Sequence, residues 1–233
     1  MKKEEVELLV LESGLLWPYY QTKKAWSANT LTKILKEMEY GEIPPHILKR
    51  AADNGKLFHQ TVQEFFQGGV HPSFVDLATI ETLSKLETKI HETINFLKKR
   101  KLSSFSGSEK LHYAFHKGEL LAAYIDLEFQ DYIIELKTSN FRANESPIAR
   151  LIFEIQLLIQ NLCTGKDIYL LWSTGQGVIF KKFEASDKLL KILDILIDLA
   201  KQENDCSLST KKAIVQEIIN DYTPIKLIIP LIN

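Results

Sequence analysis

The sequence predicts an α/β fold, in which a mixed β-sheet carries helices on both sides and a helical N-terminal third precedes it. Apolar residues recur at helical spacing through much of that N-terminal third. From Glu109 to Thr138 they alternate with a period of two, which indicates strands. We therefore expect a single domain over residues 1–233, made of a mainly helical part (1–104), a sheet core (105–184) and C-terminal helices (185–233).

Three helices are predicted in the N-terminal part. Ser27 is a suitable N-cap for a helix over residues 27–39, because a serine side chain can accept a hydrogen bond from the first turn. Pro44-Pro45 begins the second helix, which ends at Gly68-Gly69. His71-Pro72 begins the third helix, whose apolar positions continue to Leu97.

The remaining two thirds contain the predicted strands. FSGS at residues 105–108 predicts a loop, because glycine and serine favour turns. Lys117-Gly118 and Gln130-Asp131 are two-residue turns that join three antiparallel strands. The other predicted elements are helices over 144–163, 186–203 and 208–221, and a hairpin with its turn at 174–177.

The two turns place three acidic residues side by side. The first turn sets Glu109 opposite Asp126, and the second sets Asp126 opposite Glu135. Side chains that oppose each other directly stand about 5 Å apart at Cβ. Lys137 lies two residues beyond Glu135 and therefore points to the same face. The other face is apolar and should form the core, through Leu121, Ala123, Ile125, Leu127, Ile134 and Leu136.

A row of three carboxylates needs a compensating cation, because like charges directly across a sheet repel. Oxygen ligands in a compact cluster suit Mg²⁺ or Mn²⁺. Beside them, Lys137 could orient or deprotonate a water, or stabilise negative charge that develops in a reaction. Together these groups predict phosphodiester hydrolysis. The competing interpretation is an exposed sheet face with ordinary charged residues.

Composition and charge exclude several classes of protein. The formal net charge of −1 provides no global basic field, so nucleic acid would have to bind through local patches. Two cysteines, Cys163 and Cys206, are too few for a four-cysteine zinc or iron–sulfur site, and we expect free thiols in a reducing compartment. The sequence has no signal-peptide pattern and no apolar run of membrane-spanning length, which predicts a cytoplasmic protein.

The second and third predicted strands resemble a known nuclease signature. Asp126, followed after eight residues by Glu135-Leu136-Lys137, resembles the motif of the PD-(D/E)xK nuclease superfamily, with Ile125 in place of the leading proline. AYIDL and IIELKTS resemble the RecB-like exonuclease branch of that superfamily. In these two segments Ala123 replaces a glycine and Glu135 replaces an aspartate.

Three further segments resemble the same branch, in the same order along the chain. WSANTLTKIL (26–35) resembles its serine-led helix, and NGKLFHQTVQEFF (54–66) resembles its G-x-x-x-H helix, which supplies His59. EIQLLIQ resembles the Q-x-x-x-Y helix through Gln156, and Gln160 stands in place of the tyrosine.

The resemblance implies a restriction-endonuclease-like core and a role for each matched residue. Lys137 would be the catalytic lysine, and Gln156 would orient active-site groups or contact the nucleic-acid backbone. Arg142 and Arg150, which follow the hairpin, are candidate phosphate contacts or ordinary surface charges. The acids would also serve catalysis, and the implied ligands of Mg²⁺ or Mn²⁺ are His59, Glu109, Asp126, Glu135 and the Leu136 carbonyl.

These features together predict a metal-dependent nuclease that hydrolyses DNA in repair, recombination or defence. The sequence contains no helicase motor, so any unwinding would require a separate helicase or recombination protein. One alternative is a catalytically inactive nucleic-acid-binding or assembly subunit with the same fold. Another is an RNA or small-molecule phosphodiesterase. The sequence leaves open exonuclease against endonuclease action and the oligomeric state.

Several single residues have a second interpretation. His59 could be a core histidine with one hydrogen bond, and Gln156 could be a helix-surface amide. Exposed aromatic rings can stack on bases, although aromatic residues commonly pack in cores. The aromatic residues to which both interpretations apply are Trp26, Tyr124 and Trp172.

Overall fold

The computed structural model describes residues 25–41, 43–68, 80–139, 146–202 and 207–221. In these ranges the chain forms a central mixed sheet with helices packed on both faces, as predicted. The part of the third predicted helix that precedes Ile80 lies outside the described residues. None of the described helices is long and apolar enough to cross a membrane. The helices are α1 (Ala28–Leu31), α2 (Lys33–Tyr40), α3 (Pro45–Phe66), α4 (Ile80–Lys98), α5 (Pro147–Thr164), α6 (Asp187–Lys201) and α7 (Leu208–Asp221).

Within the described residues the sheet has six strands, and three of its five strand pairs are antiparallel. The strands are β1 (Trp26–Ser27), β2 (Phe105–His116), β3 (Glu119–Phe129), β4 (Tyr132–Thr138), β5 (Asp167–Thr174) and β6 (Gly177–Lys182). Their order is β1-β3-β4-β5-β6, and β2 pairs with β3. β1 runs parallel to β3, and β4 runs parallel to β5, which makes the sheet mixed.

The registers predicted for the two central hairpins are confirmed where the strands pair, but the strands do not pair at Glu109–Asp126 or at Asp126–Glu135, as the row of three acids required. His116 pairs with Glu119 across Lys117-Gly118, and both turn residues have positive φ, 49° and 81°. Positive φ at both central residues is what a tight turn needs if it is to match the twist of its strands. Across the Gln130-Asp131 turn, Leu127 lies opposite Ile134 in the predicted register.

Residues 105–108, predicted as a loop, instead form the first part of β2. Phe105 pairs with Phe129, and the register then shifts before Gly107 pairs with Glu128. Gly107 has a φ of 150°, which residues with a side chain rarely adopt. The small residues that suggested a loop therefore accommodate a β-bulge within a strand.

The first predicted helix is divided into α1 and α2 at Thr32. Ser27 caps α1 as predicted, and its Oγ accepts a hydrogen bond from the Thr30 N–H at 3.3 Å. Thr32 Oγ1 donates to the Ala28 carbonyl at 2.6 Å. A threonine side chain that bonds to the backbone competes with the helical pattern, which explains the division at this residue.

The prediction that one face of β3 and β4 holds all six core residues is wrong, because these strands have apolar residues on both faces of the sheet. α5 and α6 pack on one face, and α3 and α4 pack on the other. The six residues predicted to share a face are divided between the two cores. Leu121, Ala123 and Ile125 belong to the core under α5, and Leu127, Ile134 and Leu136 belong to the core under α3 and α4.

The division falls inside β3, between Ile125 and Leu127. Residues two apart in a regular strand share a face, so the side-chain alternation reverses at Asp126. On β2, Ser108 pairs with Leu127 and Lys110 pairs with Ile125, which brackets Glu109 opposite the same point. Glu109 has a φ of 51°, outside the extended region. Both strands are therefore irregular where the two acids were predicted to oppose each other.

Candidate active site

The candidate site lies along one edge of β3. β2 pairs with β3 along its length and occupies one edge. On the opposite edge, β1 pairs with Leu121 and Ala122, while β4 pairs with Leu127 and Glu128. Residues 123–126 lie between these two partners, and we call this stretch of edge the β3 notch. Asp126 is the last residue of the notch.

Asp126 is held from two directions. The Leu136 N–H of β4 donates to Asp126 Oδ2 at 2.8 Å, across the end of the notch. His59 Nδ1 of α3 lies 3.3 Å from Asp126 Oδ1. Gln63, one turn later on α3, donates from Nε2 to the Asp126 carbonyl at 3.4 Å. α3 and β4 together therefore fix both the backbone and the carboxylate of Asp126.

Glu135 is buried beneath α5, with 1% of the residue exposed. Its Oε1 forms an ion pair with Lys137 Nζ and accepts a hydrogen bond from Gln156 Nε2 at 2.5 Å. Its Oε2 accepts a hydrogen bond from Gln160 Nε2 at 2.6 Å. Gln156 and Gln160 are four residues apart on α5 and so share a helix face. This spacing lets one helix engage both oxygens of the carboxylate.

The two acids differ in how far their charge is compensated. Burial favours the neutral form of Asp126, but His59, Lys137 and the Leu136 N–H outweigh it and hold the pKa of Asp126 below its usual range. Burial and the negative charge of Asp126 raise the pKa of Glu135 above its usual range, despite Lys137 nearby. Burial and the neighbouring charge of Asp126 therefore disfavour the ionised form of Glu135, and a cation bound beside the two acids would favour it.

Two basic side chains, Lys137 and His59, contact the acids, and a third, Lys36, lies near Lys137. Burial would lower the pKa of Lys137 and of His59, but the carboxylates outweigh burial and raise both pKa values. Burial and the charge of Lys137 lower the pKa of Lys36, which donates to Asn29 Oδ1 at 2.7 Å. Lys36 of α2 is thus within electrostatic range of the site, although no motif in the sequence singled it out.

Glu109 is exposed and makes none of the contacts described for Asp126 and Glu135. The irregular backbone at Glu109 interrupts the alternation from which the prediction was made. Over the described part of the chain, no group of three or more His, Cys, Asp or Glu side chains is arranged to hold a metal ion. The structure brings His59, Asp126, Glu135 and Lys137 together and leaves Glu109 apart. Leu136 approaches Asp126 through its N–H, and ligation by its carbonyl stays a prediction.

Gln160 is a residue of the site that sequence reasoning missed. It was noted only as a departure from the Q-x-x-x-Y pattern. In the structure it contacts Glu135, and it also donates from Nε2 to the Tyr124 carbonyl at 3.0 Å. The available signal was the repeat of glutamine at a spacing of four in EIQLLIQ, which places Gln160 on the same helix face as Gln156.

The predicted nucleic-acid contacts stay predictions. Arg150 is half-buried in the first turn of α5, beside a small cavity over β5 and β6. Arg142 lies outside the described residues. Trp26 and Trp172 are buried, which confirms the packing interpretation for both. Tyr124 is 66% exposed, so its ring is available for stacking.

The cysteines supply no catalytic group in the described part of the chain. Cys163 of α5 is a free thiol, as expected. Burial raises the pKa of Cys163 to about 12, so the reactive thiolate is scarce at neutral pH. Cys206 lies outside the described residues.

No protein-family model matches the sequence, and no curated protein sequence matches it either. Two of the solved structures that match the chain have low sequence identity to it. One, described as SSO0001, is 13% identical with a TM-score of 0.40, and the match covers 84% of this chain and 85% of the other. The second is a "putative exonuclease" from Eubacterium rectale, 12% identical with a TM-score of 0.43 and 83% of each chain covered. No family is assigned to the chain on these likenesses.

Proposed function

We propose that the protein is a metal-dependent nuclease that hydrolyses phosphodiester bonds in DNA. The observation that carries this proposal is the convergence at the β3 notch. Asp126 and Glu135 come there from neighbouring strands, and Lys137 forms an ion pair with Glu135. An acid on each of two strands, with a lysine two residues after the second acid, is also what the resemblance to PD-(D/E)xK nucleases implies.

The two acids fit Mg²⁺ or Mn²⁺. Mg²⁺ is commonly bound through one or two carboxylates, with waters and substrate phosphates filling the other positions. Asp126 and Glu135 supply that number of carboxylates. Burial and the charge of Asp126 raise the pKa of Glu135, and a bound cation would oppose both effects. The side chains of Asp126 and Lys137 are 16% and 19% exposed, so a small ion and a phosphate can reach them.

Each residue of the site has a role in this proposal. A bound metal supplies Lewis-acid polarisation of the phosphate and lowers the pKa of water. Lys137 keeps its proton, because nearby carboxylates raise its pKa, and it stabilises negative charge on the phosphate oxygens or orients the attacking water. The Leu136 N–H and His59 hold Asp126 in place, and His59 or the Leu136 carbonyl can add a ligand.

A phosphate suits the basic side of the site. Lys36 and Lys137 are close enough for the charge of Lys137 to lower the pKa of Lys36, and an anion between them would relieve that repulsion. The choice of DNA over RNA comes from the resemblance to RecB-like nucleases. A role in repair, recombination or defence is proposed with it, and any unwinding would require a separate helicase or recombination protein, because the sequence contains no helicase motor.

A catalytically inactive nucleic-acid-binding or assembly subunit is the second candidate. It is favoured by the separation of Glu109 from the site and by the lack, among the described residues, of three side chains arranged to hold a metal. The ion pair between Lys137 and Glu135 would then serve only to stabilise the fold.

A digestion assay separates these two candidates. Purified protein is incubated with Mg²⁺ or Mn²⁺ and with linear double-stranded, circular and single-stranded DNA, with an RNA of matched length as a further substrate. We expect cleavage of DNA that requires the metal and is lost in Asp126→Ala and Lys137→Ala. Lys201→Ala is the matched control, because Lys201 forms an ion pair with Glu119 and makes no contact with either acid of the site.

The outcomes are distinct. Cleavage by the wild-type protein and by Lys201→Ala, with none by the two site variants, supports the nuclease. Cleavage that survives in Lys137→Ala points to a contaminating enzyme and counts against it. Metal-independent DNA binding without cleavage of any substrate supports the inactive subunit. Release of products from linear but not circular DNA identifies an exonuclease.

A further inference from the structure

We propose that Gln160 is a positioning residue that sets the spacing of Asp126 and Glu135 by bridging the β3 notch. This inference rests on the proposed nuclease function, since it concerns the same two carboxylates. Gln160 does not contact the reacting atoms in this proposal. It acts through the strand on which each acid lies.

The notch is a place where the sheet lacks its usual cross-strand support. β4 pairs with β3 at Leu127 and Glu128, and β1 pairs with it at Leu121 and Ala122. Between them, the Tyr124 carbonyl accepts its hydrogen bond from the Gln160 side chain at 3.0 Å. A side chain from α5 therefore takes the place of a neighbouring strand at this point of β3.

The same amide group also contacts the second acid. Gln160 Nε2 donates to Glu135 Oε2 at 2.6 Å, so both hydrogens of one NH₂ group are used. One bond fixes the backbone of β3 two residues before Asp126, and the other fixes the carboxylate on β4. A single planar group thus links the two strands that carry the two acids.

Burial makes this link rigid. Gln160 is 1% exposed and lies on the helix that forms the core of this face. Hydrogen bonds inside the protein are not weakened by competing water. Gln156 meets the other oxygen of Glu135, but its amide has no described bond to β3. Among the contacts of the described residues, Gln160 joins the strands of the two acids across the notch, and Gln156 does not.

Binding of Mn²⁺ provides the test, because ligand spacing controls metal affinity. Residues that hold metal ligands in place typically change affinity about 10- to 100-fold when they are removed. Gln160→Met keeps a similar length and removes both donors. Gln216→Met is the matched control, because Gln216 of α7 is exposed and donates to Asn220 Oδ1 at 3.0 Å away from the acids. Dissociation constants are measured by titration calorimetry on the full chain, below the thermal midpoint of each variant.

We expect the dissociation constant for Mn²⁺ to rise about tenfold or more in Gln160→Met and to stay unchanged in Gln216→Met. On DNA, kcat should fall in Gln160→Met while KM stays near the wild-type value. If Gln160→Met loses thermal stability but binds Mn²⁺ within about twofold of wild type, the glutamine is only a packing residue and the inference is overturned. Wild-type protein that binds Mn²⁺ and never cleaves DNA overturns the nuclease instead, while the affinity comparison still tests Gln160.

A measurement on the wild-type protein covers the case in which Gln160→Met does not fold. Side-chain amide resonances are assigned by nuclear magnetic resonance, and Mg²⁺ is added. The Gln160 amide should shift with saturation, since its partner Glu135 changes its charge environment, and the Gln216 amide should not. A Gln160 resonance that does not move at saturating Mg²⁺ would contradict the link.

Discussion

Two buried glutamates, Glu128 and Glu135, lie on adjacent strands of the same sheet and differ in how their charge is compensated. Glu128 contacts Lys166 Nζ at 2.8 Å and Lys110 Nζ at 3.0 Å, and His112 lies 3.4 Å away. Burial would raise the pKa of Glu128, but these cations outweigh burial and lower it to about 2. Glu135 shares its surroundings with Asp126, and its pKa is raised.

This difference in charge compensation distinguishes a buried charge that serves the structure from one that is available for binding. Glu128 has two lysines for one carboxylate, and these cations outweigh its burial. At the β3 notch two carboxylates share Lys137 and His59, and burial together with the negative charge of Asp126 raises the pKa of Glu135. Perturbed ionisation of this kind is common at functional sites, although structural ion clusters also produce it. The comparison singles out the β3 notch as the place where a further cation would favour the ionised form of a buried acid.

The largest expected effect is on catalysis. Glu135→Gln should lower kcat for DNA cleavage by at least about 100-fold, because the carboxylate charge that binds the metal is lost. Glu128→Gln should leave kcat within about threefold of wild type at a temperature where it is folded, because Glu128 belongs to a self-contained ion cluster. The two variants are compared by initial rates on one DNA substrate. Equal losses of kcat in the two variants would mean that the two glutamates do not differ in their role in catalysis.

The next effect is on folding stability, and it is expected for Glu128→Gln, the variant that should leave kcat nearly unchanged. A shift in the pKa of Glu128 from 4.5 to about 2 corresponds to about 3 kcal/mol of folding free energy. Because the folded pKa is depressed, this stabilisation is fully present above pH 4.5 and is lost as the pH falls towards 2. Glu128→Gln should therefore lower the free energy of unfolding by about 2 to 3 kcal/mol at pH 7, allowing for the partial exposure of Lys110.

Urea unfolding at pH 7 and at pH 3 measures this difference. The difference in the free energy of unfolding between wild type and Glu128→Gln should be smaller at pH 3, where the stabilisation of the wild-type protein is partly lost. Lys182→Met is the control, since Lys182 forms an exposed ion pair with Asp167 and should change stability by less than about 1 kcal/mol. If this difference in the free energy of unfolding does not depend on pH, Glu128 stabilises the fold through packing and not through charge.

The position of both glutamates along the strands could be predicted from the sequence. Lys117-Gly118 and Gln130-Asp131 are local turn signals, and in a hairpin the turn sets the register of every later pair. The closeness of Asp126 to the strand segment that holds Glu135 and Lys137 follows from those turns alone. For the same reason the spacing of the acid pair and the lysine could be interpreted as a site.

The surroundings of the site could not be predicted from turns and alternation, because they come from helices far away in sequence. His59 and Gln156 were expected only through the resemblance to RecB-like nucleases, and Gln63 and Gln160 were not expected as site residues. His59 and Gln63 reach Asp126 from α3, and Gln156 and Gln160 reach Glu135 from α5. The reversal of side-chain alternation at Asp126 depends on which face each helix covers. The period-two pattern of the sequence does not indicate it. A regular strand was therefore assumed at Glu109, where the real backbone is irregular.

A third effect separates the two glutamates by their response to metal. A ligand that binds only the folded protein stabilises it by about 2.7 kcal/mol when its concentration is about 100 times the dissociation constant. Mg²⁺ at that level should raise the thermal midpoint of the wild-type protein and of Glu128→Gln, and it should not raise that of Glu135→Gln. Thermal scans with Mg²⁺, and with the same ionic strength of Na⁺, measure the shift. A shift retained in Glu135→Gln would place the metal elsewhere.

The smallest expected effect concerns Glu109, which the sequence placed in the same row as Asp126 and Glu135. Because Glu109 is exposed and lies at an irregular position of β2, Glu109→Ala should change the free energy of unfolding by less than about 0.5 kcal/mol. The same variant should also leave the Mn²⁺ dissociation constant and kcat within about twofold of wild type, since no contact links Glu109 to the notch among the described residues. Calorimetric titration of Mn²⁺ is the decisive measurement. Affinity that falls about tenfold or more in Glu109→Ala would mean that β2 straightens when metal binds and brings a third carboxylate to the site, which would restore the row of three acids.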